Sequence, residues 1–184
     1  MHTLAVGAAV ERAEEFGTVA HVSRRDYAEH QTFAFGAPAP VLEYLSLLIE
    51  NSLLLRTHRG GRVYACFQKL SRMEPVVDRY MRIADVSERV YAFGEDDWRP
   101  PRHPNLRAVA LPEGARLARE WFVVADSPSM SAALVALEED GAGTASPDPS
   151  PDLRQFRALK TSDPSLVRRL AEAAESLAEK SLPQ

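Results

Sequence analysis

Apolar residues recur along this chain with two different periods. A spacing of three to four residues predicts an amphipathic helix within residues 2–16 and a leucine-rich helix over residues 41–55. Because leucines lie on nearly every side of the second helix, we expect it to be well buried. Short apolar runs predict strands over residues 62–68 and 90–94, and alternating apolar positions predict another over residues 106–111. The first half of the chain is therefore predicted to mix helices with strands.

The N-terminal segment is set apart from the rest of the chain. Its predicted helix ends at Gly17, and a candidate strand over residues 18–23 and a polar stretch follow. The compact part is predicted to start at the alternating run over residues 31–36. We therefore predict an N-terminal helical extension over residues 1–30 and one domain over residues 31–184.

A further helix is predicted after the strand at residues 62–68. Ser71 and Glu74 have the spacing of a capping box, in which the two side chains satisfy free amides at a helix start. The helix should run to about Ala84 and join the strand over residues 90–94. Its predicted buried stripe consists of Val76, Val77, Tyr80 and Ile83.

The second half of the domain is predicted to be richer in strands. Two apolar runs, over residues 121–125 and 130–137, flank Asp126-Ser127-Pro128-Ser129, whose residues favour a turn. This pattern predicts an antiparallel hairpin. A helix stays an alternative for residues 131–139, since alanine and leucine favour helices.

The C-terminal part is predicted to contain a loop, a strand and a final helix. Residues 141–151 are almost entirely Gly, Ala, Thr, Ser, Pro and Asp, a composition that predicts a flexible loop. Phe156 and Leu159 could add a strand at the edge of the sheet. Asp163 followed by Pro164 has the pattern of a helix cap and a proline in the first turn.

Two interpretations fit the apolar stripe of the final helix, formed by Leu166, Leu170, Ala173 and Leu177. Its four-three-four spacing is typical of helices that pair with another helix, which would allow a homodimer through the terminal helices. Docking against the domain's own sheet explains the same residues and is the favoured interpretation. Together these elements predict an α/β fold, a single domain with a mixed β-sheet of about five to six strands packed by helices.

Composition and charge restrict the classes of partner. The chain has 184 residues, of which 45% are hydrophobic, and this suffices for one domain with its own core. Its net charge of -4 offers no basic surface, so we expect no nucleic-acid partner. The acidic start does not resemble a secretion signal, and no apolar run approaches the roughly 20 residues of a membrane span. We therefore expect a cytoplasmic protein without a membrane partner.

Motifs that carry catalysis or bind metals are absent from the sequence. It contains no Gly-rich phosphate loop, no nucleophile elbow, no paired cysteines and no histidine pair at metal-ligand spacing. Cys66 lies in an apolar run and is expected to be a buried thiol. Glu95-Asp96-Asp97 could hold a hard cation, but adjacent acids on a loop are typical of a solvated turn. We predict no catalytic residue and no metal site, and the sequence identifies no cofactor.

Three polar residues in apolar surroundings are the strongest candidates for a site. Glu50 lies on the leucine-rich helix, Gln68 ends a strand, and Arg79 lies on the following helix. Burying such groups costs free energy unless they are paired, so they could converge near one end of the sheet. A structural network that pairs Glu50 with Arg79 is favoured over a ligand pocket, and both interpretations remain open.

The order of several short motifs resembles the DICT domain, which is named for its occurrence in diguanylate cyclases and two-component systems. The first half of the resemblance consists of Leu45-Ser46-Leu47-Leu48-Ile49-Glu50, Phe67-Gln68, Arg79-Tyr80 and Ile83-Ala84. The second half consists of Val90 to Gly94, Glu120-Trp121 with Phe122-Val123-Val124, Ala132 to Glu138, Phe156, and Thr161-Ser162-Asp163-Pro164. The resemblance spans about residues 33–180.

This resemblance implies a sensory domain that performs no chemistry and is usually attached to a signalling output module. Because the sequence shows no cyclase signature and no phospho-acceptor histidine box, we expect action in trans on a histidine kinase or cyclase-type output protein. A small ligand or partner docking near the candidate site would alter how the terminal helices pair. The site residues predicted for this role are Glu50, Gln68, Arg72, Arg79, Tyr80 and Trp121. The alternatives are a structural adaptor that binds only protein and an enzyme on an unfamiliar α/β scaffold.

Overall fold

The computed structural model describes residues 31–55, 59–139 and 154–181. The described strands are β1 Thr32–Pro38, β2 Arg62–Lys69, β3 Arg89–Glu95, β4 Leu106–Leu111, β5 Glu120–Ser127, β6 Met130–Glu138 and β7 Gln155–Thr161. The described helices are α1 Ala39–Leu54, α2 Val77–Val86 and α3 Pro164–Ser181, with short 3-10 segments at Leu70–Val76 and Arg116–Arg119. The predicted N-terminal extension and the predicted loop over residues 141–151 lie outside the described residues.

All the described strands belong to one mixed sheet in the order β1-β7-β6-β5-β2-β3-β4. Strands β2, β3 and β4 are parallel, and the remaining pairs are antiparallel. The predicted mixed α/β fold is confirmed, and the sheet of seven described strands is slightly larger than expected.

The prediction that residues 156–159 form an edge strand is wrong, because β7 lies between β1 and β6. Local periodicity contains no information about a partner strand more than a hundred residues away, such as β1.

The predicted antiparallel hairpin is confirmed. Strand β5 pairs with β6 from Glu120 opposite Leu137 to Ser127 opposite Met130, so only Pro128 and Ser129 form the turn. The helical alternative for residues 131–139 is excluded, since β6 is a strand through Glu138. Successive residues of β6 are buried on opposite faces of the sheet, which is why it consists of a nearly continuous apolar run.

Helices cover both faces of the sheet. Helix α3 packs on one face, where Leu166, Leu170 and Leu177 are buried against strand residues such as Tyr64 and Phe122. Helices α1 and α2 pack on the opposite face. The favoured interpretation of the α3 stripe is confirmed, because its leucines dock against the domain's own sheet. Among the described helices, none is long and apolar enough to cross a membrane.

Helix α1 is only half buried, contrary to the prediction of a well-buried helix. Leu42, Ile49 and Leu53 are buried, whereas Tyr44 is 60% exposed and Leu48 is 42% exposed. Only one side of the helix can face the sheet, and nothing in the described residues covers the other side. The leucine-rich composition predicted the helix correctly but overstated its burial.

The predicted capping box is also wrong. Residues Leu70–Val76 form a 3-10 segment, and α2 begins only at Val77 without a side-chain cap. The Ser71 amide donates to Asp97 at 2.9 Å and its hydroxyl donates to the same carboxylate at 2.5 Å. Ser71 therefore joins the 3-10 segment to the loop after β3, and Asp97 serves as a hydrogen-bond acceptor for that segment.

Candidate ligand-binding cleft

Strand β2 ends in an irregularity that places Gln68 in an unusual backbone conformation. The register between β2 and β3 shifts between Cys66 and Lys69, and Gln68 has a φ of 65°. A residue with a side chain rarely adopts this left-handed conformation, and doing so costs about 1–3 kcal/mol. Gly94 allows the backbone of β3 to approach the start of the 3-10 segment, since a Cβ atom there would lie 2.6 Å from the Leu70 amide nitrogen. The local structure therefore holds Gln68 in a strained position.

The side chain of Gln68 joins three charged residues. It is buried, with 3% of its surface exposed. Its Oε1 atom accepts hydrogen bonds from the guanidinium groups of both Arg72 and Arg154. Its Nε2 atom donates to the Glu138 carboxylate at 3.0 Å, and Arg154 lies 3.9 Å from the same carboxylate. One amide thus gathers two positive charges and one negative charge from three different parts of the chain.

A second polar group lies between helices α1 and α2. Arg79 donates to the Glu50 carboxylate at 3.0 Å, and the Glu50 side chain is only 5% exposed. Burial raises the pKa of Glu50, while Tyr80 and Arg79 act in the opposite direction. The predicted pairing of Glu50 with Arg79 is therefore confirmed.

Tyr80 completes this second group. Its ring is fully buried. Burial, and then the charge of Glu50 and a hydrogen bond to its carboxylate, raise the pKa of Tyr80 well above its ordinary value. A neutral phenol therefore lies beside the ion pair and interacts with its carboxylate.

Both polar groups border one cleft of about 660 Å³ between α1, the 3-10 segment with the start of α2, and strands β2 and β5. The apolar part of its lining includes Leu47, Ala65, Phe67, Val76 and Val123. Most of the surface inside the cleft is therefore apolar, with polar groups at defined positions, as is typical of small-molecule sites.

Trp121 lies in this cleft with its ring held on two sides. Its indole nitrogen donates to the Ser46 hydroxyl at 3.0 Å. Its ring meets Phe156 edge to face, with centroids 5.8 Å apart. Because both ends of the indole have partners, the ring forms a defined aromatic wall rather than a mobile side chain.

The structure brings the predicted site residues together. The cleft is lined by Glu50, Arg72, Arg79, Tyr80 and Trp121. Gln68 does not line it but binds Arg72 and Arg154, which do. That these residues bind a ligand stays a prediction. Sequence reasoning missed Arg154, which lies three residues after a segment predicted to be a loop and 86 positions from Gln68.

Cys66 has the properties expected of an inert residue. It is buried, and its Sγ atom lies 3.6 Å from the carbonyl oxygen of Leu117. Burial raises the pKa of the Cys66 thiol to about 12, and the nearby Glu120 carboxylate adds to this effect. The thiol is therefore protonated at neutral pH, and the prediction of a buried reduced cysteine is confirmed.

The sequence model of DICT, described as a sensory domain in diguanylate cyclases and two-component systems, matches residues 41–139. The chain belongs to the DICT family. The matched span is shorter than the 33–180 expected from the order of motifs, and it ends before β7 and α3. It includes the six predicted site residues of this DICT domain but not Arg154. No match is found among curated protein sequences.

Two solved structures share the fold of this DICT domain at low sequence identity. TrmBL2, an archaeal chromatin protein, is 11% identical with a TM-score of 0.52, over 95% of this chain and 60% of its own. Polyphosphate kinase from Porphyromonas gingivalis is 13% identical with a TM-score of 0.52, over 83% of this chain and 24% of its own. The chain thus spans less than two thirds of either protein. These likenesses concern the fold alone.

Proposed function

We propose that this DICT domain is a sensory module whose cleft binds a small molecule and that it relays binding, in trans, to a two-component or diguanylate-cyclase output protein. The observation that carries the proposal is the cleft of about 660 Å³, in which polar groups converge on an apolar lining. The family description supports a sensory role. The size of the cleft suits a ligand of the size of a metabolite.

We also propose that the module performs no chemistry of its own. Two groups that could serve as a nucleophile or a general base are engaged in the structure. Cys66 is a buried thiol, and Glu50 is paired with Arg79. Neither has the exposed, reactive arrangement that a catalytic group needs.

Helix α1 provides a route from the cleft to the surface. Tyr44 lines the cleft and is also 60% exposed, and Leu48 lies one turn further along the exposed side. A ligand would shift α1 and so change this surface if it bound the protein more tightly with the helix in one position than in another. The output protein would then recognise α1 rather than α3, which lies on the opposite face of the sheet.

A structural adaptor that binds only protein is the second candidate function. The exposed apolar residues of α1 favour it, since such residues on one side of a helix are typical of contact surfaces. The adaptor would use that surface whether or not the cleft is occupied. The two candidates therefore differ in whether a small molecule binds.

The test is native mass spectrometry of the full chain purified from its own host, combined with a thermal-shift screen of nucleotides, tetrapyrroles and metabolites. We expect a co-purifying small molecule, or a compound that raises the melting temperature. Val76→Trp should abolish this binding, because Val76 is half-buried in the lining and a larger side chain would fill the cleft. Val41→Trp on the exposed side of α1 is the matched control and should bind normally.

Two results would contradict the sensory proposal. The first is a protein that carries no small molecule and responds to no compound of the screen, which favours the adaptor. The second is binding that Val76→Trp leaves intact, which places the ligand outside the cleft.

A further inference from the structure

We infer that the ligand of the cleft is an organic anion, with a carboxylate, phosphate or sulfonate group attached to an apolar or aromatic body. This inference rests on the proposed function and specifies its ligand class. The anionic group is placed at Arg72 and Arg154, and the apolar body along Trp121 and the apolar lining of the cleft.

The first support is the arrangement of Arg72 and Arg154. Both guanidinium groups donate to the same oxygen atom of Gln68, so two positive charges are held close together around a neutral acceptor. Like charges at such separation repel, and an anion between them would relieve the repulsion. Arginine also presents several N–H donors in a planar fork that matches carboxylate and phosphate oxygens.

The second support is the balance of charge around the cleft. Three guanidinium groups, those of Arg72, Arg79 and Arg154, line it. Glu50 neutralises Arg79 at 3.0 Å, and Glu138 lies 3.9 Å from Arg154. The remaining acid of the lining, Glu43, is exposed at the rim. Among the described residues, no carboxylate pairs with Arg72, so its positive charge is the one that an anionic ligand would neutralise.

The apolar lining requires that the anion be carried by a larger body. Phe67, Val76 and Val123 contribute apolar surface, and Trp121 contributes an aromatic wall. An inorganic ion would leave this surface in contact with water, whereas an aromatic or aliphatic body would cover it. The combination distinguishes an organic anion from phosphate or sulfate alone.

The test compares two fluorescent probes that share their rings and differ in charge. The anionic probe is 1-anilinonaphthalene-8-sulfonate, and its neutral counterpart is N-phenyl-1-naphthylamine. We expect the full-length protein to bind the sulfonate more tightly than the neutral probe. Arg72→Gln and Arg154→Gln should each weaken sulfonate binding by roughly tenfold to a hundredfold, as for loss of a charged hydrogen bond, and leave the neutral probe unaffected.

Matched variants separate the cleft from the rest of the surface. Arg82→Gln removes an exposed arginine of α2 that does not line the cleft and should change neither affinity. Leu48→Gln removes exposed apolar surface of α1 outside the cleft and should likewise have no effect. If Arg72→Gln fails to fold, Arg72→Lys retains the charge and should keep the preference for the sulfonate, while Arg154→Gln should still reduce it.

The outcomes distinguish this inference from the proposal on which it rests. Equal affinity for the two probes, or sulfonate binding unchanged in Arg154→Gln, would overturn the organic-anion inference but leave a ligand-binding cleft in place. If neither probe binds at a site that Val76→Trp blocks, the organic-anion inference fails, whereas the sensory proposal is decided by the co-purification and thermal-shift test.

Discussion

At the scale of single residues, the cleft is built from groups that the protein holds at some cost in stability. Gln68 has a left-handed backbone, and Glu50 is a carboxylate removed almost entirely from water. Each is retained by its partners, the first by charged hydrogen bonds and the second by Arg79. Such strained or buried polar groups are more often found at binding sites than elsewhere.

The ionisation of Glu50 leads to a prediction about pH. Because burial raises its pKa in the folded state above the ordinary value of 4.5, the native protein holds this proton more tightly than the unfolded chain. The contribution of Glu50 to the free energy of unfolding is therefore fully present below pH 4.5 and falls as pH rises through the folded-state pKa. Glu50→Gln should lack this dependence.

The measurement is urea unfolding of both proteins across the pH range above 4.5. The stability of the wild type relative to Glu50→Gln should decline as pH rises. Glu43→Gln, at an exposed position of the same helix, is the control, and its free energy of unfolding should change with pH as that of the wild type does. A relative stability that instead increases with pH would mean that the pairing with Arg79 outweighs burial.

Gly94 provides a second prediction at this scale. A Cβ atom there would lie 2.6 Å from the Leu70 amide nitrogen and 2.8 Å from the Lys69 carbonyl carbon. Because both are backbone atoms that cannot rotate away, Gly94→Ala should lower the free energy of unfolding by about 1–3 kcal/mol. It should also weaken binding of the proposed ligand, since it disturbs the irregular end of β2 that positions Gln68.

Gly36→Ala is the matched control for this substitution. A Cβ atom at Gly36 would meet only the Phe156 carbonyl oxygen, at 3.9 Å, which is an ordinary contact. Urea unfolding of the two variants should show a loss of stability for Gly94→Ala alone. Equal stability of the two would show that the approach of β3 to the 3-10 segment is not as constrained as the structure indicates.

At the scale of elements, a polar cluster fastens the last helix to the sheet. Glu175 on α3 accepts a hydrogen bond from the Tyr64 hydroxyl at 2.6 Å and pairs with Arg62, both on β2. Although burial acts in the opposite direction, these two partners lower the pKa of Glu175. The cluster complements the leucine stripe and keeps α3 on the face opposite the cleft.

Glu175→Gln is expected to destabilise the domain by about 1–3 kcal/mol at neutral pH, because the Tyr64 hydroxyl and Arg62 lose a charged acceptor. Since the pKa of Glu175 is lowered, this stabilisation is present above its ordinary value of 4.5 and is lost as pH falls through the folded-state pKa. The difference between wild type and variant in thermal or urea unfolding should therefore shrink in acid.

Glu172→Gln, about one turn earlier on α3 and exposed, is the control and should be nearly neutral. A similar loss in both variants would indicate a general effect of charge on the helix and not the cluster with Tyr64.

At the scale of the whole molecule, the cleft lies where two kinds of sheet meet. Strand β2 pairs with β3 in parallel and with β5 antiparallel, so its end lies between the two parts of the sheet. The 3-10 segment that begins at this end contains Arg72. Arg154, which is distant in sequence, directly precedes β7. The convergence of these arginines is therefore a property of the complete fold and of no single segment.

Much of the fold could nevertheless be predicted from local patterns. The structure confirms the strands predicted at β2, β3 and β4, the hairpin of β5 and β6, and the start of α3. At the helix start, Asp163 accepts a hydrogen bond from the Ser165 amide at 3.1 Å, as its cap position predicts. These features depend on residues close in sequence, whose periodicity and turn chemistry can be recognised without the partner strand.

The sequence by itself determined most of the helices and strands, the burial of Cys66 and the family, and it favoured the pairing of Glu50 with Arg79. Only the tertiary structure decided the place of β7 in the sheet, the exposed side of α1 and the partner of Ser71. It alone also brought Arg154 to Gln68. The physical reason is that periodicity identifies an apolar side but not what covers it, whereas contacts between distant residues depend on strand register and the path of the chain.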